Sequence, residues 1–201
     1  MAKILVIDNY PFGGDARERL SRFREILKDF DFEIIGFDKL NEKKIEEFDK
    51  FILSGSNLSL RLEENIEKYK NEIEFVQKTE KPILGICFGH QLIGVAFGFN
   101  IRKMENGYAE YGTDIKLKIK PFELCKKDEI LVEENHHEEI EHSSEFEKIF
   151  KVLSGDNNCK IEILKHKDKK IFGVQFHPET NPKSTIKEDG EEIIKNFIDL
   201  N

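Results

Sequence analysis

From Ile4 to Ile86 short apolar runs alternate with amphipathic stretches, and this alternation restricts the fold more than any other feature of the chain. Residues 4–7, 32–37, 51–53 and 83–86 read as buried strands, each ended by turn residues. Between them, 15–30 places Leu20, Phe23, Ile26, Leu27 and Phe30 at helical spacing, and 43–48 is a short helix candidate. Residues 62–78 place Ile66, Tyr69, Ile73 and Val76 on one helical face and are expected to form one helix, stopped before Pro82. Strands that alternate with helices imply an α/β architecture: a three-layer, open, mostly parallel twisted sheet with helices on both faces, flavodoxin-like in plan. In that plan ligands bind at the carboxyl ends of the strands.

The second half changes character. Residues 113–119, 130–134, 150–153, 161–166 and 171–176 are strand-like with turns between them, so additional antiparallel strands are expected there. Residues 191–200 close the chain as a helix with Ile193, Ile194, Phe197 and Ile198 inward. No linker, repeat or low-complexity segment interrupts the 201 residues, so one domain over 1–201 is expected.

Net charge is −8, with acidic and basic residues interspersed and no basic patch interleaved with aromatics, so nucleic acid is not an expected partner. Cys87, Cys125 and Cys159 are widely spaced, odd in number and lack a C-x-x-C, which suggests neither a disulfide framework nor a zinc site. A reducing, cytoplasmic location fits. The first apolar run is too short for a signal segment, and no run approaches a membrane span.

Two runs carry chemistry. In Gly85-Ile86-Cys87-Phe88-Gly89-His90-Gln91 an apolar strand meets a cysteine flanked by glycines, and a helix-like stretch (90–97) follows at once. Strand, sharp turn and helix with a nucleophile at the tip is the pattern of a nucleophile elbow. Helix N-terminal amides favour the thiolate and an oxyanion. A buried structural cysteine beside a glycine-rich turn is the alternative. In Gly173-Val174-Gln175-Phe176-His177-Pro178-Glu179 a strand ends in a histidine and a carboxylate. A thiol nucleophile needs such a base, and a carboxylate on the far ring nitrogen fixes its tautomer.

Taken together, these runs resemble the nucleophile motif and the base-and-orienter motif of the class I glutamine amidotransferases, the Cys-His-Glu glutaminases. The resemblance covers nearly the whole chain in the expected order. It implies that Cys87 attacks the side-chain amide of L-glutamine, with His177 as base and Glu179 as its orienter. Backbone amides of Gly55 and Phe88 would form the oxyanion hole, and Gln91 would help hold the substrate. No cofactor and no metal is implied. The family shows Ser-Gly-Gly-Pro where this chain has Ser54-Gly55-Ser56-Asn57. If the second position of that loop needs φ > 0, Ser56 costs ~1 kcal/mol there.

Smaller matches are similar to the family's GMP synthase branch. They are Glu110-Tyr111-Gly112, Asn135-His136-His137-Glu138-Glu139-Ile140, the Asp156–Cys159 and Leu164–Lys167 segments, and the last helix. Ile7-Asp8-Asn9-Tyr10 resembles the anthranilate synthase branch instead. The chain lacks a phosphate-cradling glycine-rich loop with a lysine, so an ATP-dependent synthetase subunit is the expected partner for the ammonia. The faces near 136–139 and 178–187 are candidate docking surfaces. The glutaminase subunit of another amidotransferase such as anthranilate synthase, a free-standing γ-glutamyl hydrolase and a non-catalytic regulatory protein of the same fold remain alternatives. The run 136–142 lacks metal-ligand spacing; His136 is assigned to the glutamine site or to a partner contact, and the rest to a solvated charged loop. His90 is expected to pack behind the elbow, His166 to end a strand, and Cys125 and Cys159 to be spectators.

Overall fold

We describe the protein from a computed structural model, over residues 2–11, 16–104, 113–180 and 189–200. The first half runs β1 (Lys3–Asp8), α1 (Ala16–Ile26), β2 (Asp31–Gly36), α2 (Glu42–Glu47), β3 (Lys50–Leu53), α3 (Glu63–Lys68), α4 (Lys70–Lys78), β4 (Ile83–Ile86) and α5 (Phe88–Ala96). The second runs β5 (Ile101–Lys103), β6 (Thr113–Lys118), β7 (Glu129–Glu134), β8 (Glu138–Ile140), α6 (Phe146–Ile149), β9 (Phe150–Ser154), β10 (Ile163–His166), β11 (Ile171–Val174) and α7 (Gly190–Asp199).

Among the described residues the main sheet has seven strands in the order β2-β1-β3-β4-β11-β10-β9. Neighbours from β2 to β11 pair parallel, and β10 and β9 add antiparallel. Side chains alternate across the sheet because the strand period is two. Ile4, Val6, Ile52, Leu84, Ile86 and Val174 pack on one face with Phe23 of α1, Leu27 just after it, and Ile194 and Phe197 of α7. Leu5, Ile7, Phe51, Leu53, Ile83 and Ile171 pack on the other with Ile73 and Val76 of α4 and Leu92 and Ile93 of α5. Phe23, Phe51 and Phe197 are fully buried, each ring stabilising the fold by ~2–3 kcal/mol. Lys50, at the head of β3, reaches across the sheet end. Its Nζ donates to the carbonyls of Phe197, Ile198 and Leu200, placing a cation on the electronegative end of α7.

The predicted strands and helices of the first half are present with small shifts, and three expectations need correction. The single helix over 62–78 is two, broken at Tyr69 (φ −98°, ψ 14°). The buried Tyr69 hydroxyl donates to the Asn9 carbonyl at 2.5 Å, tying the break to the end of β1. The helix after Cys87 starts at Phe88, not His90. The stretch 138–142 is not all solvated loop. β8 pairs with β5, and Glu139, 1% exposed, binds Arg102 at 2.8 Å and accepts from Lys160 N at 2.7 Å. The Glu110–Gly112 match and residues 181–187 lie outside the described residues.

Glu72 of α4 is sealed against Asn9, whose Nδ2 donates to Oε1 at 3.2 Å. Burial pushes its carboxyl up to about 8, against the smaller opposing effect of that hydrogen bond. The folded chain therefore keeps a proton that the unfolded chain releases near 4.5. This contribution to stability is complete below the unfolded value and is lost as pH rises through 8. Glu72→Gln, which mimics the protonated acid, is expected to gain stability over the parent as pH rises. The gain should grow by on the order of 3 kcal/mol between about pH 5 and pH 9 in urea titrations. A difference that stays constant across that range refutes the assignment.

Candidate active site

Parallel neighbours β4 and β11 run in register, Gly85 opposite Gly173 and Ile86 opposite Val174. Their carboxyl ends therefore leave the sheet side by side, and Cys87 N donates to Val174 O at 2.8 Å. Cys87 is the only described non-glycine residue with positive φ (φ 50°, ψ −100°). Holding such a backbone costs roughly 1–3 kcal/mol and is sustained by the packing around it. The flanking glycines are required by close approach. A Cβ on Gly85 would sit 2.5 Å from Gly89 O, and one on Gly89 would sit 2.4 Å from Leu53 O. The turn aims the cysteine over the first turn of α5, whose leading amides, Phe88 among them, have no intrahelical acceptor.

After Val174 the chain turns toward β7, and His177 N donates to Glu133 O at 2.9 Å. Thr180 Oγ1 and N both donate back to His177 O, closing a tight turn around Pro178. That turn sets the buried Glu179 beneath the ring: His177 Nδ1 donates to Glu179 Oε1 at 2.8 Å. The other side of the imidazole hydrogen-bonds the Cys87 side chain. Burial alone would lower the histidine pKa. The negative charges of Glu179 and Cys87, and the hydrogen bonds to both, outweigh it and raise it to about 10. The arrangement favours a thiolate–imidazolium pair with a proton ready for a leaving group.

Gly55 lies over this pair. A Cβ there would meet His177 Cε1 at 2.9 Å, Tyr10 Oη at 3.0 Å and Cys87 Cβ at 3.8 Å. Its loop is pinned to β1: Ser54 N donates to Ile7 O, Asn9 N donates to Ser54 Oγ at 2.9 Å, and Ser54 Oγ donates to Gly55 O at 2.9 Å. Ser56 is not at positive φ, so the strain foreseen for it does not arise. Its hydroxyl instead accepts from Leu58 N at 3.3 Å.

Gln91 is buried one layer behind the sulfur. Its Nε2 donates to Glu138 O at 2.9 Å and Gln175 Oε1 at 3.3 Å. Gln175, unassigned from the sequence although inside the quoted run, donates its Nε2 to Cys87 Sγ at 3.7 Å. The thiol itself faces Asn135 O at 3.9 Å. His136 and Glu139 are buried and so do not form an open docking face. His90 is sealed against the backbone of Gly173 and Ile161, and burial lowers its pKa to about 3. His166 Nδ1 accepts from the amides of Asp168 and Lys169, a structural role at the end of β10.

An elbow cysteine, a carboxylate-bound histidine on the next strand and a glycine loop above them are features of a thiol amidase on an α/β sheet. The glutamine amidotransferase class-I family model matches residues 5–200, and the chain belongs to that family. Its relatives include a subunit of the glutamine-hydrolysing GMP synthase of Methanothermobacter thermautotrophicus, 31% identical over 100% of this chain and 98% of the relative. The same subunit from Methanococcus aeolicus is 34% identical over 96% and 95% of the two chains. A solved structure from Thermoplasma acidophilum, proposed to be a GMP synthase subunit, superposes with a TM-score of 0.80. It is 27% identical, over 99% of this chain and 93% of that one. Among the described residues no helix is long and apolar enough to cross a membrane.

Proposed function

We propose that the chain hydrolyses L-glutamine and hands the ammonia to a separate ATP-dependent synthetase subunit that aminates XMP to GMP. The observation that carries this reading is the Cys87–His177–Glu179 line, built on a strained elbow in a chain of this family. The Cys87 thiolate attacks the carboxamide carbon of glutamine. Amides of Gly55 and Phe88 stabilise the oxyanion. The imidazolium of His177 protonates the leaving ammonia, and a γ-glutamyl thioester remains. Water, deprotonated by His177, then cleaves the thioester to glutamate and regenerates the thiol. Glu179 keeps the ring oriented through both steps. Gln91 supports the substrate pocket from behind, and His136 borders it.

The test mixes the chain with its organism's XMP-aminating synthetase subunit, ATP and magnesium. Glutamate release should rise with the synthetase present, and the two should co-elute on gel filtration with substrates. No glutamate under these conditions refutes the reading. So does turnover of γ-glutamyl amides that is equally fast without the synthetase.

A further inference from the structure

His136, Glu134, Glu162 and Cys159 meet in the interior beside the nucleophile, and the steps above use none of the last three. All four are nearly inaccessible, and the two carboxylates and the ring are each 5% exposed or less. His136 Nδ1 lies 3.0 Å from the Glu138 carbonyl, which can only accept, so this nitrogen carries a proton. Nε2 lies 2.6 Å from Glu134 Oε2 and 3.9 Å from Glu162 Oε1. Both ring nitrogens thus lie close to oxygen atoms, and a protonated ring makes the Nε2 to Glu134 approach an ion-pair contact.

The second carboxyl balances the charge. Burial first, and then the charge of Glu134, push the Glu162 carboxyl well above the usual range. With its carboxyl protonated, Glu162 adds no second negative charge beside the ring. Burial likewise keeps Cys159 a thiol. A cation bound by His136, Cys159 and Glu162 is disfavoured, although their donor atoms lie within 4.8 Å of one another. Both ring nitrogens are already engaged, Nδ1 with Glu138 O at 3.0 Å and Nε2 with Glu134 Oε2 at 2.6 Å, which leaves His136 no lone pair for a cation.

The ring is joined to the sulfur. Glu138 O, its acceptor, also takes Gln91 Nε2; Gln91 meets Gln175, and Gln175 donates to Cys87 Sγ. We infer that His136 is a second imidazolium supporting the Cys87 thiolate and that Glu134, with a protonated Glu162 behind it, is the positioning residue that keeps it charged. The charged or titratable groups facing His136 are Glu134 on β7, Glu162 before β10, the Cys159 thiol, Cys87 at the elbow and the neutral His90 on α5. In so buried a place the charge of His136 is little screened. This deepens the glutaminase reading and rests on Cys87 being its nucleophile.

The experiment follows iodoacetamide alkylation of Cys87 against pH, by peptide mass spectrometry, without glutamine or synthetase. At about pH 6.5, Glu134→Gln and His136→Gln should each alkylate roughly ten-fold more slowly than the parent, with the profile displaced to higher pH. Glu162→Gln, which keeps a neutral donor in place, should change the rate less than two-fold. Glu134→Asp should recover most of the loss. A parent-like profile in a folded Glu134→Gln or His136→Gln chain overturns the inference. So does an equal displacement in the Glu134 and Glu162 variants. If Glu134→Gln does not fold, His136→Gln carries the test alone. The expected alkylation profiles, with no glutamate made beside the synthetase, would sink the glutaminase reading while showing that His136 and Glu134 do hold Cys87 as a thiolate.

Discussion

Cys87→Ser should lower glutamine-dependent turnover by about three orders of magnitude or more, because the site holds its nucleophile as a preformed thiolate–imidazolium pair and a serine hydroxyl does not ionise at rest. The change is close to isosteric, so the positive-φ elbow and its glycine contacts are kept. Thermal unfolding should therefore stay near that of the parent. Loss of activity with an unchanged melting curve assigns the chemistry to sulfur. The synthetase mixed with this variant should still make product when fed ammonium salt in place of glutamine, since only the ammonia source has been removed. Retention of more than a tenth of the parent glutaminase rate would rule Cys87 out as nucleophile.

Gly89→Ala should produce a large loss of stability. The added methyl carbon would lie 2.4 Å from Leu53 O and 2.7 Å from Leu53 Cβ. Both belong to β3, a central strand of the main sheet, so neither can retreat without disturbing the sheet. Overpacking against fixed backbone costs ~3 kcal/mol or more. For a chain of this size that lowers the melting temperature by roughly 10 °C. Gly85→Ala, 2.5 Å from Gly89 O, should fall in the same range. A melting temperature within about 2 °C of the parent for both variants would mean that the elbow does not pack as described.

The parts of the fold visible in the residues are those whose burial is continuous. β1, β3 and β4 are unbroken apolar runs with helices between them, and their order along the chain already implies a parallel sheet. The triad was visible for a similar reason: each half lies in one short run, and a cysteine between glycines or a His-Pro-Glu has few uses. The break at Tyr69 was not visible, because it depends on a hydroxyl reaching Asn9, sixty residues away. β5 and β8 were hidden by their charges. Arg102 and Glu139 look like solvated residues until each is seen to neutralise the other. Glu134 and Glu162 were hidden in the same way, as acidic positions in strand-like runs where a carboxylate reads as the solvent side, and their burial appears only when β7 and the segment before β10 come together.

The insertion of β11 between β4 and β10 has a consequence for biogenesis. The strand that delivers the base sits beside the strand that delivers the thiol, yet they are about ninety residues apart in the chain. A nascent polypeptide emerging from the ribosome presents Cys87 long before His177 exists. Closing so long a loop belongs among the slow steps of folding. In the proposed mechanism Cys87 thus stays unarmed during synthesis and becomes reactive only when the final quarter of the chain docks.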